Sequence, residues 1–280
     1  MNLFARHLAL AAGLLAAAPS FAALETLVDY DQFVGVDGDI DRNLWGPTYG
    51  PVEQIRLINA NGQLELGQRV LAKGSTSTGA VANSYGVNFY APATVKDIVA
   101  TITVVGAWIA NCGANTDTGF TAARIAGSFF NDGGVTANSQ LNDVIAQVRM
   151  ERLSTSTAAD GTTDVVARVD KCTSADCSTT TQLFRSVLQA GVPVDTPVRV
   201  YMRWDQAAKK FLFKKGTDAY RTYTYTMVDT VAPSVAFKGL QNRTKVENCA
   251  TSGANRSGGS RALFDNVWVN ASADRTPTPP

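Results

Sequence analysis

Apolar and polar residues alternate with a period of two over much of the chain. In Val144–Glu151 and Val198–Trp204 the even positions are apolar, and the intervening positions are mostly charged or polar. A similar alternation runs through Asp164–Asp170 and Arg221–Tyr225. These segments are also rich in β-branched and aromatic residues, so the pattern predicts half-buried antiparallel strands.

Turn signals separate the alternating segments at short intervals. The clearest are Asn61-Gly62, Asn131–Gly134, Asp160-Gly161 and Lys215-Gly216. No segment of useful length carries an apolar stripe at helical spacing. Ten or more strands without helices between them predict an all-β, antiparallel sandwich rather than a parallel α/β sheet.

The N-terminal residues 1–23 have the three parts of a secretory signal peptide. Arg6 and His7 form a positive start, Leu8–Ala18 is a short apolar run, and Ser20–Ala22 is a small-residue cleavage site. A buried N-terminal helix is the alternative. The signal predicts a secreted or periplasmic protein. The remaining sequence predicts one β-sandwich over residues 24–271 and a disordered proline-rich tail over residues 272–280.

Charge and histidine content narrow the chemistry. The single histidine, His7, lies in the predicted signal peptide, so a secreted chain would lack the Ser–His and Cys–His nucleophile systems and the usual zinc sites. Without Arg6, the basic and acidic residues balance at 24 each, which gives no attraction to nucleic acid or to an anionic bilayer. No later stretch approaches the ~20 apolar residues of a membrane helix, so no membrane insertion is predicted.

Four cysteines predict two disulfides in an exported protein. Cys172 and Cys177 flank a turn-like Thr-Ser-Ala-Asp segment and can close a local hairpin, which leaves Cys112 to pair with Cys249. Three pairings are possible for four cysteines, and sequence alone does not choose among them. A metal site built from these thiols is the alternative, but it lacks paired CxxC spacing and histidine.

Three stretches resemble the concanavalin A-like lectin/glucanase superfamily, including its LamG-like jelly rolls. They are Val28–Leu66 with Trp45 and an Asn-Gly strand pair, Val200–Lys214 with a Trp-Asp strand end, and Ala262–Val269 as a closing strand. Together they span nearly the whole mature chain. The resemblance implies a single jelly-roll β-sandwich.

The chain departs from the catalytic patterns of that superfamily. Jelly-roll glucanases carry two glutamates flanking an aspartate on one strand, and a retaining mechanism needs two carboxylates ~5 Å apart. None of the five glutamates has another within ten residues; they are Glu25, Glu53, Glu65, Glu151 and Glu247. The Gln-x-His strand of jelly-roll lyases is also missing, although a lyase site made of Arg and Tyr stays open.

Polar residues of two alternating strands form the candidate ligand-binding face. They are Gln147, Arg149, Glu151, Arg199, Tyr201 and Arg203. Arg and Glu can bond sugar hydroxyls, and aromatic rings such as Tyr223 and Tyr225 can pack on sugar rings. The alternative is an ordinary solvated sheet face crossed by salt bridges. Trp204 and Trp268 are predicted to lie in the core.

Two acidic features raise the question of a metal. Asp37, Asp39 and Asp41 have the i, i+2, i+4 spacing of hard-cation loops, but Arg42 stands where an EF-hand requires Gly, so a solvated turn is the alternative. Some members of the resembling superfamily hold a structural calcium ion between the first segment and the last strand. The matching residues here are Asp265 and, on the opening segment, Asp31.

These observations give three functional hypotheses. The first is an exported, non-catalytic carbohydrate-binding or cell-surface interaction domain whose partner is a polysaccharide or a surface glycan. The second is a polysaccharide-degrading glycosidase or lyase with an atypical site, for which Glu151, Tyr201 and an Arg are the candidate residues. The third is a structural envelope protein, since fold does not imply function.

Overall fold

The structure is a computed structural model. It describes residues 26–32, 54–72, 79–113, 115, 117–134, 136–249 and 256–275. The predicted signal peptide, the aspartates 37, 39 and 41, and residues 276–280 lie outside the described residues.

The described part of the chain is built from β-strands, with one short 3₁₀ turn at Pro92–Thr94. The fourteen strands are β1 (Leu27–Asp31), β2 (Gln54–Ile58), β3 (Leu64–Leu71), β4 (Ala80–Asn88), β5 (Asp97–Ile109), β6 (Phe120–Asn131), β7 (Asp143–Leu153), β8 (Thr162–Cys172), β9 (Thr180–Pro193), β10 (Pro197–Asp205), β11 (Lys210–Lys215), β12 (Arg221–Thr224), β13 (Lys238–Glu247) and β14 (Ser257–Asn270). No helix in the described residues is long and apolar enough to cross a membrane.

The strands form two antiparallel sheets. The six-stranded sheet has the order β4-β13-β6-β7-β8-β9. The eight-stranded sheet has the order β12-β11-β10-β5-β14-β3-β2, and β1 pairs with the second half of β14. Because both sheets are antiparallel and pack face to face, the structure confirms the predicted jelly-roll β-sandwich.

The core lies between the sheets and follows the alternation in the sequence. In β7, Val148 and Met150 point inward, and in β10 Val200 and Met202 do the same; all four are at most 1% exposed. The residues between them therefore point to the outer faces of the two sheets.

Aromatic rings fill one end of the core. Trp204 and Phe211 pack against Phe130 of the facing sheet, with ring centroids 5.9 and 6.4 Å from that ring. Trp204 Nε1 donates a 2.7 Å hydrogen bond to the Tyr225 hydroxyl, which donates a 2.6 Å bond to Asp229. Trp204 thus lies in the core as predicted.

The prediction that Trp268 also lies in the core is wrong. A β-bulge shifts the pairing of β14 between Asp265 and Trp268, and Asn266 within it adopts a positive φ of 50°. The extra residue reverses the alternation, so Val267 and Val269 are buried while Trp268 moves to the outer face.

The predicted start of the C-terminal tail at residue 272 is too early. Ala273 is buried with the core residues, and the Asp274 amide donates a 2.8 Å hydrogen bond to the Thr94 hydroxyl. The Arg275 side chain donates a 2.9 Å bond to the Asp29 carbonyl. Residues 272–275 are therefore part of the folded unit.

Both predicted disulfides are present. Cys112 pairs with Cys249, and Cys172 pairs with Cys177. Beside the first bridge, the buried Glu247 carboxylate accepts hydrogen bonds from the Cys112 amide at 2.9 Å and the Gly119 amide at 2.6 Å. The bridge and the carboxylate join the same two regions of the chain, which lie more than a hundred residues apart in sequence.

We expect the two disulfides to differ in their contribution to stability. Cys112–Cys249 spans 137 positions and Cys172–Cys177 spans 5. Cross-linking lowers the entropy of the unfolded chain. In the chain-entropy model this stabilises the folded protein by roughly 5 kcal/mol for the long loop and roughly 2 kcal/mol for the short one. Urea unfolding of the two paired Cys→Ser variants measures the difference. Equal losses, or a larger loss for the short loop, would contradict this expectation.

Candidate functional site: a groove on the outer face of the six-stranded sheet

Large polar side chains cover the outer face of the six-stranded sheet. Each of the central ones is at most 5% exposed although it points away from the core; they are Arg124, Gln147, Arg149, Glu151, Asp170 and Gln241. The sequence allowed for an ordinary solvated sheet face here, but the structure shows a layer of packed polar side chains. Its side chains hide one another from water, so their polar atoms need partners within the layer.

Strand register brings these residues together. On the central strand β6, Arg124 lies opposite Gln241 of β13 and opposite Arg149 of β7. In the neighbouring pair of strands, β7 and β8, Gln147 of β7 lies opposite Arg168 of β8. Side chains at opposite or diagonal positions on one face are close enough to interact, so four adjacent strands supply one cluster.

Hydrogen bonds link the cluster across the sheet. The two terminal nitrogens of Arg124 donate 2.7 Å bonds, one to Gln147 Oε1 and one to Gln241 Oε1. Gln147 Nε2 then donates a 3.0 Å bond to Asp170, which also accepts two bonds of 2.6 and 2.7 Å from Arg168 Nε. Two neutral amide groups, those of Gln147 and Gln241, thus hold the Arg124 side chain in place on this face of the sheet.

Glu151 is held by two arginines at one end of this layer. Its carboxylate pairs with Arg149, and it accepts a 3.0 Å bond from Arg185 of β9. The Arg149 guanidinium also lies 4.8 Å from the ring of Phe120. Burial lowers the pKa of Arg149 to about 10, against the opposing effect of Glu151, so the guanidinium stays charged at neutral pH.

A groove runs over this layer as two adjoining cavities of about 550 and 330 Å³. Both cavities are lined by Arg124, Ile145, Ser178 and Arg243. Ligand pockets typically have volumes of about 300–1,000 Å³, so the groove has room for a ligand of several rings.

The loop at 173–178 forms one wall of the groove. The Cys172–Cys177 disulfide closes its base, and both cysteines pack with Ile145 on the floor. Asp176 Oδ1 accepts bonds from the Ser174 hydroxyl at 2.8 Å and the Ser178 amide at 3.0 Å. These contacts give the wall a defined shape.

The structure divides the predicted binding face between two sheets. Arg149 lines the groove and Glu151 is buried beside it on β7, whereas Arg199, Tyr201 and Arg203 lie on β10, in the eight-stranded sheet. Since each sheet turns one face to the shared core, the two groups point in opposite directions. The single polar face expected from the sequence is therefore two separate faces.

The outer face of β10 carries stacked cations and aromatic rings. Arg199 lies 5.4 Å from the Tyr201 ring and 5.8 Å from that of Trp268, and Lys214 Nζ lies 4.5 Å from the Tyr201 ring. Arg203 forms an ion pair at 3.6 Å with the buried Asp97, and its own side chain is only 14% exposed. Arg203 is thus held in a structural contact, and the adjoining cavity is small, at about 210 Å³.

The two predicted calcium ligands lie on neighbouring strands. Asp31 ends β1 opposite Val267, and Asp265 stands at the bulge of β14, where it accepts a 2.7 Å bond from the Asn266 amide. Calcium takes six to eight oxygen ligands, and the described residues contain no group of three acidic, histidine or cysteine side chains suited to a metal. The calcium site stays a prediction without further support from these residues.

Sequence reasoning missed the residues at the centre of the groove. Arg124 is the one charged residue of β6 and lies between Ala123 and Ile125, and this isolated position was its only signal. Gln241 and Arg243 alternate with the inward-facing Asn242, so β13 has polar residues on both faces and shows no clean alternation.

Comparisons with known proteins found likenesses among solved structures, all at low sequence identity. No protein-family model and no curated protein matches the chain. Among solved structures, it is similar to a laminarinase from Flavobacterium sp. UMI-01 (12% identity, TM-score 0.48, 88% of this chain and 100% of that one). It is also similar to arcelin-5, a lectin-like defence protein from Phaseolus vulgaris (12%, 0.36, 87% and 98%).

A sialidase matches with 12% identity and a TM-score of 0.42 over 88% of this chain, but the match spans only 18% of that protein. At these identities the likenesses concern the fold alone.

Replacing Glu151 with Gln should destabilise the protein strongly. The change leaves Arg149 buried without its carboxylate, and breaking a buried ion pair from one side costs about 3–5 kcal/mol. Asp160→Asn is the control, because Asp160 pairs with Arg152 at the surface, where such pairs contribute about 0–1 kcal/mol. Urea unfolding compares the two variants, and a loss for Glu151→Gln no larger than the control's would contradict a structural role for Glu151.

Proposed function

We propose that the protein is an exported, non-catalytic carbohydrate-binding domain that holds a polysaccharide in the groove of the six-stranded sheet. The observation that carries the proposal is the hydrogen-bonded layer of Arg, Gln and Asp side chains that forms the groove floor, with Glu151 buried at its end. Such groups match the hydroxyls of a sugar, and holding them in place before binding reduces the entropy lost on association.

The shape of the groove supports a glycan chain as the ligand. The cavities of about 550 and 330 Å³ adjoin through shared lining residues, so a ligand can occupy both at once. Their lining combines charged groups with apolar surface from Ile145, Phe237 and Leu153. Sugars present both hydroxyl groups and apolar ring faces, and this mixed lining can contact both.

The state of the carboxylates favours binding over catalysis. Hydrolysis of a glycosidic bond needs one carboxyl as a proton donor and a second as nucleophile or base. Glu151 and Asp170 are both engaged by arginines, and hydrogen bonds from Ser178 and Ser174 lower the pKa of the rim residue Asp176 to about 2. A group with that pKa is ionised at neutral pH and is a poor proton donor.

The lyase alternative needs a base for proton abstraction. Among the described residues, those that line the two cavities include neither tyrosine nor histidine, and Tyr201 lies on the other sheet. The fold itself fits carbohydrate binding and carbohydrate degradation alike. The choice between the two functions therefore rests on the side chains that line the groove. The two disulfides agree with an oxidising, exported location.

Ser178→Trp should abolish polysaccharide binding without unfolding the protein. Ser178 lies in the exposed wall loop and lines both cavities, so an indole there would fill groove volume without entering the core. A glycan array, followed by affinity electrophoresis with the polysaccharide it identifies, measures the loss. Reducing-end and unsaturated-product assays on the same polymer test for cleavage.

Thr222→Trp is the matched control for this experiment. It places an equally large side chain at an exposed position of β12, in the other sheet. Binding by the control but not by Ser178→Trp would support the proposal. Equal binding by both variants would contradict the groove, cleavage would favour the enzyme, and binding of no polysaccharide would favour the structural hypothesis.

A further inference from the structure

The groove holds an excess of positive charge. Its cationic lining residues are Arg124, Arg149, Arg168, Arg185, Arg243 and Lys245. Four carboxylates lie near them. Glu151 pairs with two arginines, Asp170 pairs with Arg168, and Asp117 pairs with Lys245. The exposed Asp176 on the rim accepts hydrogen bonds within its own loop. Among the described residues, Arg124 and Arg243 form no ion pair.

Arg124 carries this excess at the groove floor. It is 3% exposed, its two hydrogen-bond partners are neutral amides, and its Nε has no partner among the described residues. The pKa of Arg124 is well below its usual value, first because of burial and then because of the nearby Arg243 and Arg149 charges. Burying a cation without a counter-ion is costly, so this arrangement opposes folding.

Arg243 extends the excess into both cavities. Its Nε is buried without a partner among the described residues, and it forms no ion pair there. Arg124 and Arg243 lie at diagonal positions on the paired strands β6 and β13. Gln241, which lies opposite Arg124 and accepts its hydrogen bond, is two residues before Arg243. An anionic group in the shared part of the groove would contact both guanidiniums.

We propose that the groove selects an acidic polysaccharide, whose carboxylate or sulfate group binds against Arg124 and Arg243. The inference rests on the proposed binding function and adds the class of ligand. The protein itself offers these two arginines the nearby charge of Asp170, which pairs with Arg168 and with neither of them. A bound anion supplies the direct partner, which a neutral glycan cannot do. Binding by charge-assisted hydrogen bonds is stronger than binding through neutral donors and acceptors.

The test compares charged and neutral forms of the same polymer. Affinity is measured for dextran sulfate against dextran, and for polygalacturonate against its methyl ester. We expect one or both charged forms to bind at least about tenfold more tightly, which corresponds to about 1.4 kcal/mol. The comparison also shows whether sulfate or carboxylate is the preferred group, and the preference should weaken as salt is raised because salt screens charge.

Two variants locate the interaction. Arg243→Gln should reduce affinity for the charged polymer about tenfold while leaving the melting temperature unchanged or higher, since it removes a buried charge that forms no ion pair among the described residues. Arg199→Gln, on the opposite outer face, is the matched control and should retain wild-type affinity. Arg124→Lys, which keeps the charge but loses the planar fork, tests the floor position separately.

The outcomes separate this inference from the proposed function. Equal affinity for charged and neutral polymers, or loss of binding in Arg199→Gln but not in Arg243→Gln, would overturn the acidic-ligand proposal while leaving polysaccharide binding intact. Binding of no polymer, charged or neutral, here and on the glycan array would instead remove the proposed function.

Discussion

Two sheets share one core only when each strand turns alternate side chains toward the facing sheet, and this constraint positions the groove. In β7 it places Val148 and Met150 inside, so Arg149 must point outward. The neighbouring strands obey the same rule, and their outward residues meet on one surface. The residues of the groove floor are therefore held by the backbone that the core already fixes, and they need no rearrangement to form a site.

The charges on the groove floor are arranged at a cost to stability. Glu151 and Asp170 balance their arginine neighbours, whereas Arg124 is held by the amides of Gln147 and Gln241. Amide oxygens orient a guanidinium but do not neutralise it. A buried cation that is oriented and not neutralised can attract an anion, and this links the energetics of the fold to the class of ligand proposed for the groove.

Local patterns predicted the strands, but they could not predict which strands are neighbours. The alternation in β7 and β10 identified their inward residues correctly, because the period of two is a property of each strand alone. Whether Arg149 and Arg203 share a surface depends on pairing between distant segments, and the structure places them in different sheets. Trp268 shows a second limit, since one bulge residue, Asn266, reverses the alternation that the sequence implies.

The most direct test of the account is to observe the arginine side chains during ligand binding. NMR spectra of the Arg Nε–Hε groups, recorded with a short oligosaccharide that carries carboxylate or sulfate groups, report contact at each guanidinium. We expect shifts for Arg124 and Arg243 and none for Arg199 and Arg203. Shifts confined to Arg199 and Arg203 would contradict it, because they would place the ligand on the outer face of the eight-stranded sheet.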